Sequence, residues 1–210
     1  LINEVLDMSK AESGKIELHP EPYDPEVFFS YLDSVVAPLC REKNIRFVVD
    51  ARPVTSVAPL IDTLRINQVF FNLLSNAVKF TPEGGTVTYR LREHLTETGR
   101  LALEGEVSDT GIGMSREFQK RLFEPFTQEM RSDSSETRGT GLGLAIVKKL
   151  LDLMGCEITV QSGIGKGTTF RLRGEFDCVP AAAIRSRLAE AEPERQSDRL
   201  AGLHVLLCED

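Results

Sequence analysis

The segment from Asp62 to Gly85, DTLRINQVFFNLLSNAVKFTPEGG, constrains the fold more than any other part of the chain. Wound as a helix at about 100° per residue, it gathers Arg65, Gln68, Asn72, Asn76 and Lys79 into an arc of roughly 80°, with Ile66, Phe70, Leu73, Leu74 and Ala77 on the other side. One face needs a core against it, and the other is a stripe of amides and cations. Asn is a poor choice inside a helix, because its side chain competes with the backbone for hydrogen bonds. Asn72 and Asn76, one turn apart on the polar face, therefore call for a reason. Their amide oxygens can ligand a hard cation such as Mg²⁺, and Lys79 can meet the phosphates that share it. The alternative is a merely solvated helix face.

With 210 residues, 41% of them hydrophobic, the chain can bury one sizeable core or two small ones. Its net charge of −7 is spread over interleaved acids and bases, which gives no nucleic-acid or membrane-surface footprint. The 4 cysteines, at 40, 156, 178 and 208, form no CxxC pair and fit buried thiols in a reducing, cytoplasmic compartment. No apolar run reaches the roughly 18 residues of a membrane span, and no signal peptide is visible. Both ends read as cuts: residue 1 is already inside a helical pattern, and Asp210 closes a strand-like run. The expectation is a fragment of a longer protein, whose membrane anchoring, if any, lies in parts outside it.

In order, LINEVLDMSKAES reads as a helix ending at Gly14, and Ile16 to Pro22 as a short alternating strand. Asp24 and Pro25 supply an N-cap and an N1 proline for a helix to about Lys43. Ile45 to Asp50 reads as a strand, and Val87 to Arg92 and Leu101 to Ser108 as a pair joined by the loop His94 to Arg100. A short helix starts at Ser115, a polar run extends to Arg138, and a helix runs from Gly143 through Leu151. A hairpin, Glu157 to Gln161 with Thr168 to Gly174, follows. From Asp177 to Gly202 the composition is that of a linker. Leu203 to Cys208 reads as a further strand.

Three glycine-rich segments carry the remaining chemistry. In DTGIGM (109–114), Asp109 stands at a strand end before a Gly-x-Gly, where its carboxylate can accept a hydrogen bond from an exocyclic amine; the alternative is an Asp that caps a turn. In RGTGLGLAIVKKL (138–150), glycines precede an apolar helix, and free N–H groups there attract phosphate. The GxGxGL spacing and the polar run before it disfavour a dinucleotide-binding motif. GIGKGTTF (163–170) can be read as nothing more than a hairpin turn.

Taken in order, the Asn-rich helix, DTGIGM, the phenylalanine-flanked loop FEPFTQ (123–128), GTGLGLAI and GIGKGTTF resemble the ATP-binding catalytic domain of sensor histidine kinases, over roughly residues 16 to 175. The resemblance implies an α/β two-layer sandwich, with helices on one face of a mixed, mostly antiparallel sheet and a mobile lid over ATP. DNA gyrase, the large heat-shock chaperones and mismatch-repair ATPases share that fold. It implies that Asn76 holds Mg²⁺, with Asn72 one turn before it and Lys79 on the phosphates. It places Asp109 on adenine beside Gly111 and Gly113, and Phe123 and Phe126 at the base of the lid. Gly139, Thr140, Gly141, Leu142, Gly143 and Leu144 become the phosphate-facing lid segment, and Gly165, Gly167 and Thr168 the last box.

The flanks are similar to neighbouring modules of that family. Residues 1–14 resemble the end of the second helix of the dimerisation domain, followed by a catalytic domain at 15–176, a linker at 177–202 and, at 203–210, the first strand of a receiver domain. A hybrid kinase, homodimeric in its full length and working with its own histidine-bearing and receiver domains, is implied.

In hydrolysing relatives a glutamate, one turn before the metal-binding asparagine, serves as general base. Here that position is Asn72, which takes no proton at neutral pH. That favours transfer to a supplied nucleophile, a histidine imidazole, over hydrolysis. None of the 3 histidines, His19, His94 and His204, has the expected setting of an acceptor, so the fragment is expected to bind MgATP without labelling itself. Two other readings stand beside the kinase. One is an anti-sigma-type kinase or ATP-gated binding module of the same fold; the other is an aspartic protease, on the strength of Asp109-Thr110-Gly111 alone.

Overall fold

A computed structural model describes residues 16–52, 54, 56–129 and 140–182. Strand β1 (Glu21–Pro22) precedes helix α1 (Pro25–Tyr31), whose N-cap Asp24 accepts a hydrogen bond from the Glu26 N–H. The helical path continues through a π-helical turn, Leu32–Val36, into α2 (Ala37–Glu42). Pro38, which has no N–H to give to the preceding turn, gives the local reason for that widened register. Strands β2 (Arg46–Arg52) and β3 (Val57–Ile61) lead into α3 (Thr63–Phe80). After it come β4 (Thr86–Leu95), β5 (Leu101–Asp109), the short α4 (Arg116–Gln119), α5 (Gly143–Leu153), β6 (Glu157–Gly163), β7 (Gly167–Phe176) and β8 (Cys178–Pro180).

The main sheet has five strands in the order β2-β4-β5-β7-β6; β2 and β4 run parallel and every other pair is antiparallel. Helices pack on one face, giving the two-layer sandwich anticipated from the sequence. Alternation sorts the strands: Val87, Tyr89 and Leu91 on β4 and Leu101, Leu103 and Val107 on β5 are buried. On the opposite face, Glu106 bridges Arg90 and Arg171. At the centre of the core, the rings of Phe28, Phe70 and Tyr89 form a triangle with all three centroid distances at 5.3 Å. Gly105 makes room for it, since a Cβ there would lie 2.9 Å from Cζ of Phe70. Helix α3 thus buries Ile66, Val69, Phe70, Leu73, Leu74, Ala77 and Val78 and turns its amide stripe outward.

Some expectations need correction. Of the strand expected over Ile16 to Pro22, only Glu21–Pro22 forms, and His94 lies in β4, paired with Ala102, not in a loop. The segment expected as a linker from Asp177 opens instead with a strand, Cys178–Pro180, paired with β3. Strand β3 itself was not expected; it sits between β1 and β8 in a second, three-stranded sheet. The first helix, the polar run 130–139, most of the linker and the receiver-like strand fall outside the described residues. Among the described residues no helix is long and apolar enough to cross a membrane.

The start of α3 is fixed by Asp62, which is only 7% exposed. One carboxylate oxygen accepts from the Arg65 N–H at 3.0 Å, and the other from the His19 N–H at 3.0 Å. Asp62→Ala removes the cap and the acceptor of two partly buried hydrogen bonds, so thermal unfolding should show a loss of about 1–2 kcal/mol. Asp62→Asn, which keeps one acceptor, should lose less.

Candidate functional site

Three segments meet at the C-terminal end of α3. Residue Asp109 is the last of the central strand β5, flanked in register by Val87 on β4 and Thr168 on β7. Its Oδ1 accepts from the Gly111 N–H at 2.8 Å and the Thr168 N–H at 3.2 Å. Both bonds use the same oxygen, so neither engages Oδ2. Burial pushes the Asp109 carboxyl above the usual carboxylate range, and the two N–H bonds oppose that shift.

The glycines after Asp109 let the loop lie against its neighbours. A Cβ on Gly111 would be 2.4 Å from the Phe80 carbonyl oxygen, to which the Ile112 N–H also donates at 3.2 Å. Gly113, at φ +63°, would put a Cβ 1.8 Å from the Gly163 oxygen, and Gly167, at φ +77°, one 1.9 Å from the Asp109 oxygen. Only glycine allows this contact between the DTGIGM loop and the β6–β7 hairpin. Gly165 completes it by donating its N–H to the Ile112 carbonyl at 2.8 Å.

Two residues that carried no motif signal tie the same parts together. Ser162 Oγ accepts from the Met114 N–H and lies within hydrogen-bonding distance of Gly167 O and Thr168 Oγ1. The Gln119 amide donates to the carbonyls of Met114 and Ser162, both at 3.1 Å. A serine one residue before a hairpin glycine and a glutamine in a one-turn helix have no periodicity that would mark them.

On α3, Asn72, Asn76 and Lys79 are half-buried and share the outward face. Asn72 lies beside the start of α5: its Oδ1 is 3.2 Å from where a Cβ on Gly143 would stand. The Lys79 ammonium sits 5.1 Å from the ring centroid of Phe80, and burial lowers its pKa. Below α5, the Phe126 N–H donates to the Gly141 carbonyl at 3.0 Å, both residues having positive φ. Phe126 is 70% exposed, whereas Phe123 packs against the core. Thr140 Oγ1 accepts from the Leu142 N–H at 3.1 Å. The Leu142 side chain is fully buried in the core, so only its backbone can face a ligand, and Leu144 is partly buried against the core. Gly139 lies outside the described residues. A separate recess of about 490 Å³ opens between Ile16–Glu21 and Asp62–Arg65, at the far end of α3.

The sequence model for the histidine kinase-, DNA gyrase B- and HSP90-like ATPases matches residues 61–177. The chain belongs to this ATPase family. The matched span runs from the end of β3 to the residue after β7 and so contains every glycine-rich segment of the site. Among curated proteins, the chain is 35% identical over 217 residues to the autoinducer 2 sensor kinase/phosphatase LuxQ of Vibrio parahaemolyticus, covering 100% of this chain and 24% of LuxQ. It is 40% identical over 170 residues to the sensor protein GacS of Pseudomonas syringae pv. syringae, covering 81% of this chain and 19% of GacS. The chain thus spans about a quarter or less of these relatives. Among solved structures, full-length ShkA in complex with AMPPNP superposes with a TM-score of 0.70 at 31% identity, over 85% of this chain and 36% of ShkA. The catalytic domain of the histidine kinase ThkA, at 22% identity and a TM-score of 0.59 over 74% of this chain and 95% of that one, shares the ATPase fold.

Proposed function

We propose that this chain is the catalytic domain of a hybrid sensor histidine kinase, binding MgATP and passing its γ-phosphoryl group to a histidine borne elsewhere in the parent protein. The observation that carries the reading is the convergence at the end of α3. The loop after Asp109 is held against the Phe80 carbonyl and the start of α5 against Asn72. A hydrogen-bond acceptor for adenine and an amide-and-ammonium face for phosphates therefore line one cleft. Membership in an ATPase family, and a likeness to a protein solved with an ATP analogue, support the same ligand.

In this reading Asp109 Oδ2 accepts the adenine amine, while Oδ1 keeps its two backbone donors. Asn76 gives its amide oxygen to Mg²⁺ and Lys79 its ammonium to the phosphates, exchanging the Phe80 ring for a stronger partner. Gly141 and Gly143 offer backbone N–H groups at the start of α5, an eleven-residue helix whose N-terminus favours anions. Among the described residues no group of three or more His, Cys, Asp or Glu side chains can hold a metal ion. Mg²⁺ would therefore take amide oxygen together with oxygens of the nucleotide, and its charge would offset that of the transferring phosphoryl group.

Asn72 cannot act as a base toward water, so the residues present position a phosphoryl group without activating a hydrolytic nucleophile. His19 gives its backbone N–H to Asp62 at the opposite end of α3, and His94 is exposed at the end of β4; neither faces the cleft. The acceptor then comes from a dimerisation domain upstream of residue 15, and the phosphoryl group passes on to a receiver domain downstream of residue 202, in a homodimeric parent.

The test is incubation with γ-labelled MgATP, alone and with a separately expressed upstream helical hairpin. Acid-labile, base-stable label on the hairpin, with none on the chain itself, is expected. Free phosphate without protein label would make the chain a hydrolase, and binding without turnover would reduce it to a nucleotide-gated module.

A further inference from the structure

The last turn of α3 is held by a residue outside every motif. The Lys43 ammonium, at the end of α2, donates to the carbonyls of Val78 at 2.9 Å, Lys79 at 2.8 Å and Thr81 at 3.0 Å. A helix leaves its last four carbonyls without intrahelical donors. In α3 the Ala77 carbonyl is taken by the Thr81 N–H at 3.0 Å and hydroxyl at 2.6 Å, and the Phe80 carbonyl by the Ile112 N–H. Lys43 takes the remaining two, and one more beyond the helix. An ammonium suits this position, because it has three donors arranged around one point and its charge sits at the negative end of the helix dipole.

The neighbouring residue extends the grip. Asn44, at φ 52°, accepts the Gly84 N–H on its carbonyl and donates its side-chain amide to Glu83. The turn between α3 and β4 is thus anchored to the end of α2.

We infer that Lys43 is a positioning residue for the phosphate end of the nucleotide site, an inference that rests on the kinase reading above. The turn it clamps carries Lys79, with Asn76 just before it; the loop after Asp109 meets that turn at the Phe80 carbonyl, but Asp109 also has donors outside it, in Gly111 and Thr168, and its loop is tied to the hairpin by Ser162 and Gln119. Removing the ammonium loosens the end of α3 directly and disturbs the adenine end less, because the β7 and hairpin contacts of Asp109 and its loop remain. Arginine is an imperfect replacement, because a planar guanidinium does not converge on three carbonyls around one point.

The test compares Lys43→Met and Lys43→Arg with the unchanged chain by titration with MgATP and, separately, with adenosine, which lacks the phosphates. For Lys43→Met, MgATP affinity should fall about tenfold, as for loss of a well-placed charged cap. Adenosine affinity should stay within about twofold, and Lys43→Arg should recover only part of the MgATP loss. If MgATP and adenosine weaken by the same factor, or MgATP does not weaken at all, Lys43 has no positioning role. If Lys43→Met fails to fold, the same comparison is read from Lys43→Arg, where a selective MgATP loss of at least about threefold supports the inference and no selective loss overturns it. An unchanged chain that binds neither ligand would instead overturn the kinase reading on which this rests.

Discussion

Gly167→Ala is expected to abolish measurable nucleotide binding and to lower the melting temperature by roughly 5–10 °C, as a loss of ~2–3 kcal/mol does in a domain of this size. The position combines two demands: φ is +77°, and a Cβ would stand 1.9 Å from the Asp109 carbonyl oxygen and 3.0 Å from Cα of Thr110. Backbone has to move, and the backbone that moves carries Asp109. Gly165 is the control. Its φ of +72° imposes similar strain, yet a Cβ there meets nothing within 4 Å. Gly165→Ala should therefore cost about 1 kcal/mol and leave binding largely intact. Differential scanning calorimetry with nucleotide titration separates the two variants; equal losses would mean that the close approach at Gly167 is not what shapes the site.

Asp109→Asn should weaken ATP binding by about 10- to 100-fold, the worth of a charge-assisted hydrogen bond at about 1.5–3 kcal/mol. The structure points to the upper end. The side-chain oxygen must stay on the Gly111 and Thr168 donors, so the new amide nitrogen takes the place of Oδ2 and offers a donor to a donor. Stability of the nucleotide-free protein should move the other way. Burial raises the Asp109 pKa in the folded state, so the ionised carboxylate costs stability above that pKa, and the cost disappears as pH falls toward the unfolded-state value of about 4. Asn resembles the protonated form. The variant should melt above the unchanged chain at about pH 7–8, with the difference shrinking on acidification, while its affinity for ATP is lower. A variant that melted lower at about pH 8 would show that the N–H bonds outweigh burial.

Helix α3 was legible because period, cap and end agreed: the apolar residues recur at helical spacing, Asp62 stands at the N-cap, and Thr81-Pro82 closes the far end. The main sheet was legible where strands alternate. Strand β3 was not, because Pro59 breaks the donor pattern that marks a strand; in the fold it contributes only its carbonyl, to the Tyr23 N–H, while Leu60 bonds Asp177. Strand β8 is three residues long and was absorbed into the polar composition that follows it. At the candidate site, the glycine segments were legible as segments that meet, since Gly111, Gly113 and Gly167 stand where backbone approaches backbone too closely for a Cβ. The supports escaped. Lys43, Ser162 and Gln119 act through side-chain hydrogen bonds to backbone groups, each reaching at least one partner 35 or more residues away, and no spacing encodes such contacts.

The central claim is that one cleft, between the end of α3, the DTGIGM loop and the start of α5, holds MgATP. The most direct measurement is a titration of isotope-labelled protein with MgATP, followed by the backbone amide resonances. Saturable shifts should concentrate at residues 72–81, 109–114, 140–144 and 163–168, with little change on the outer sheet face around Glu106. Shifts confined to the recess beside His19 and Asp62, or no saturable shift at all, would contradict it.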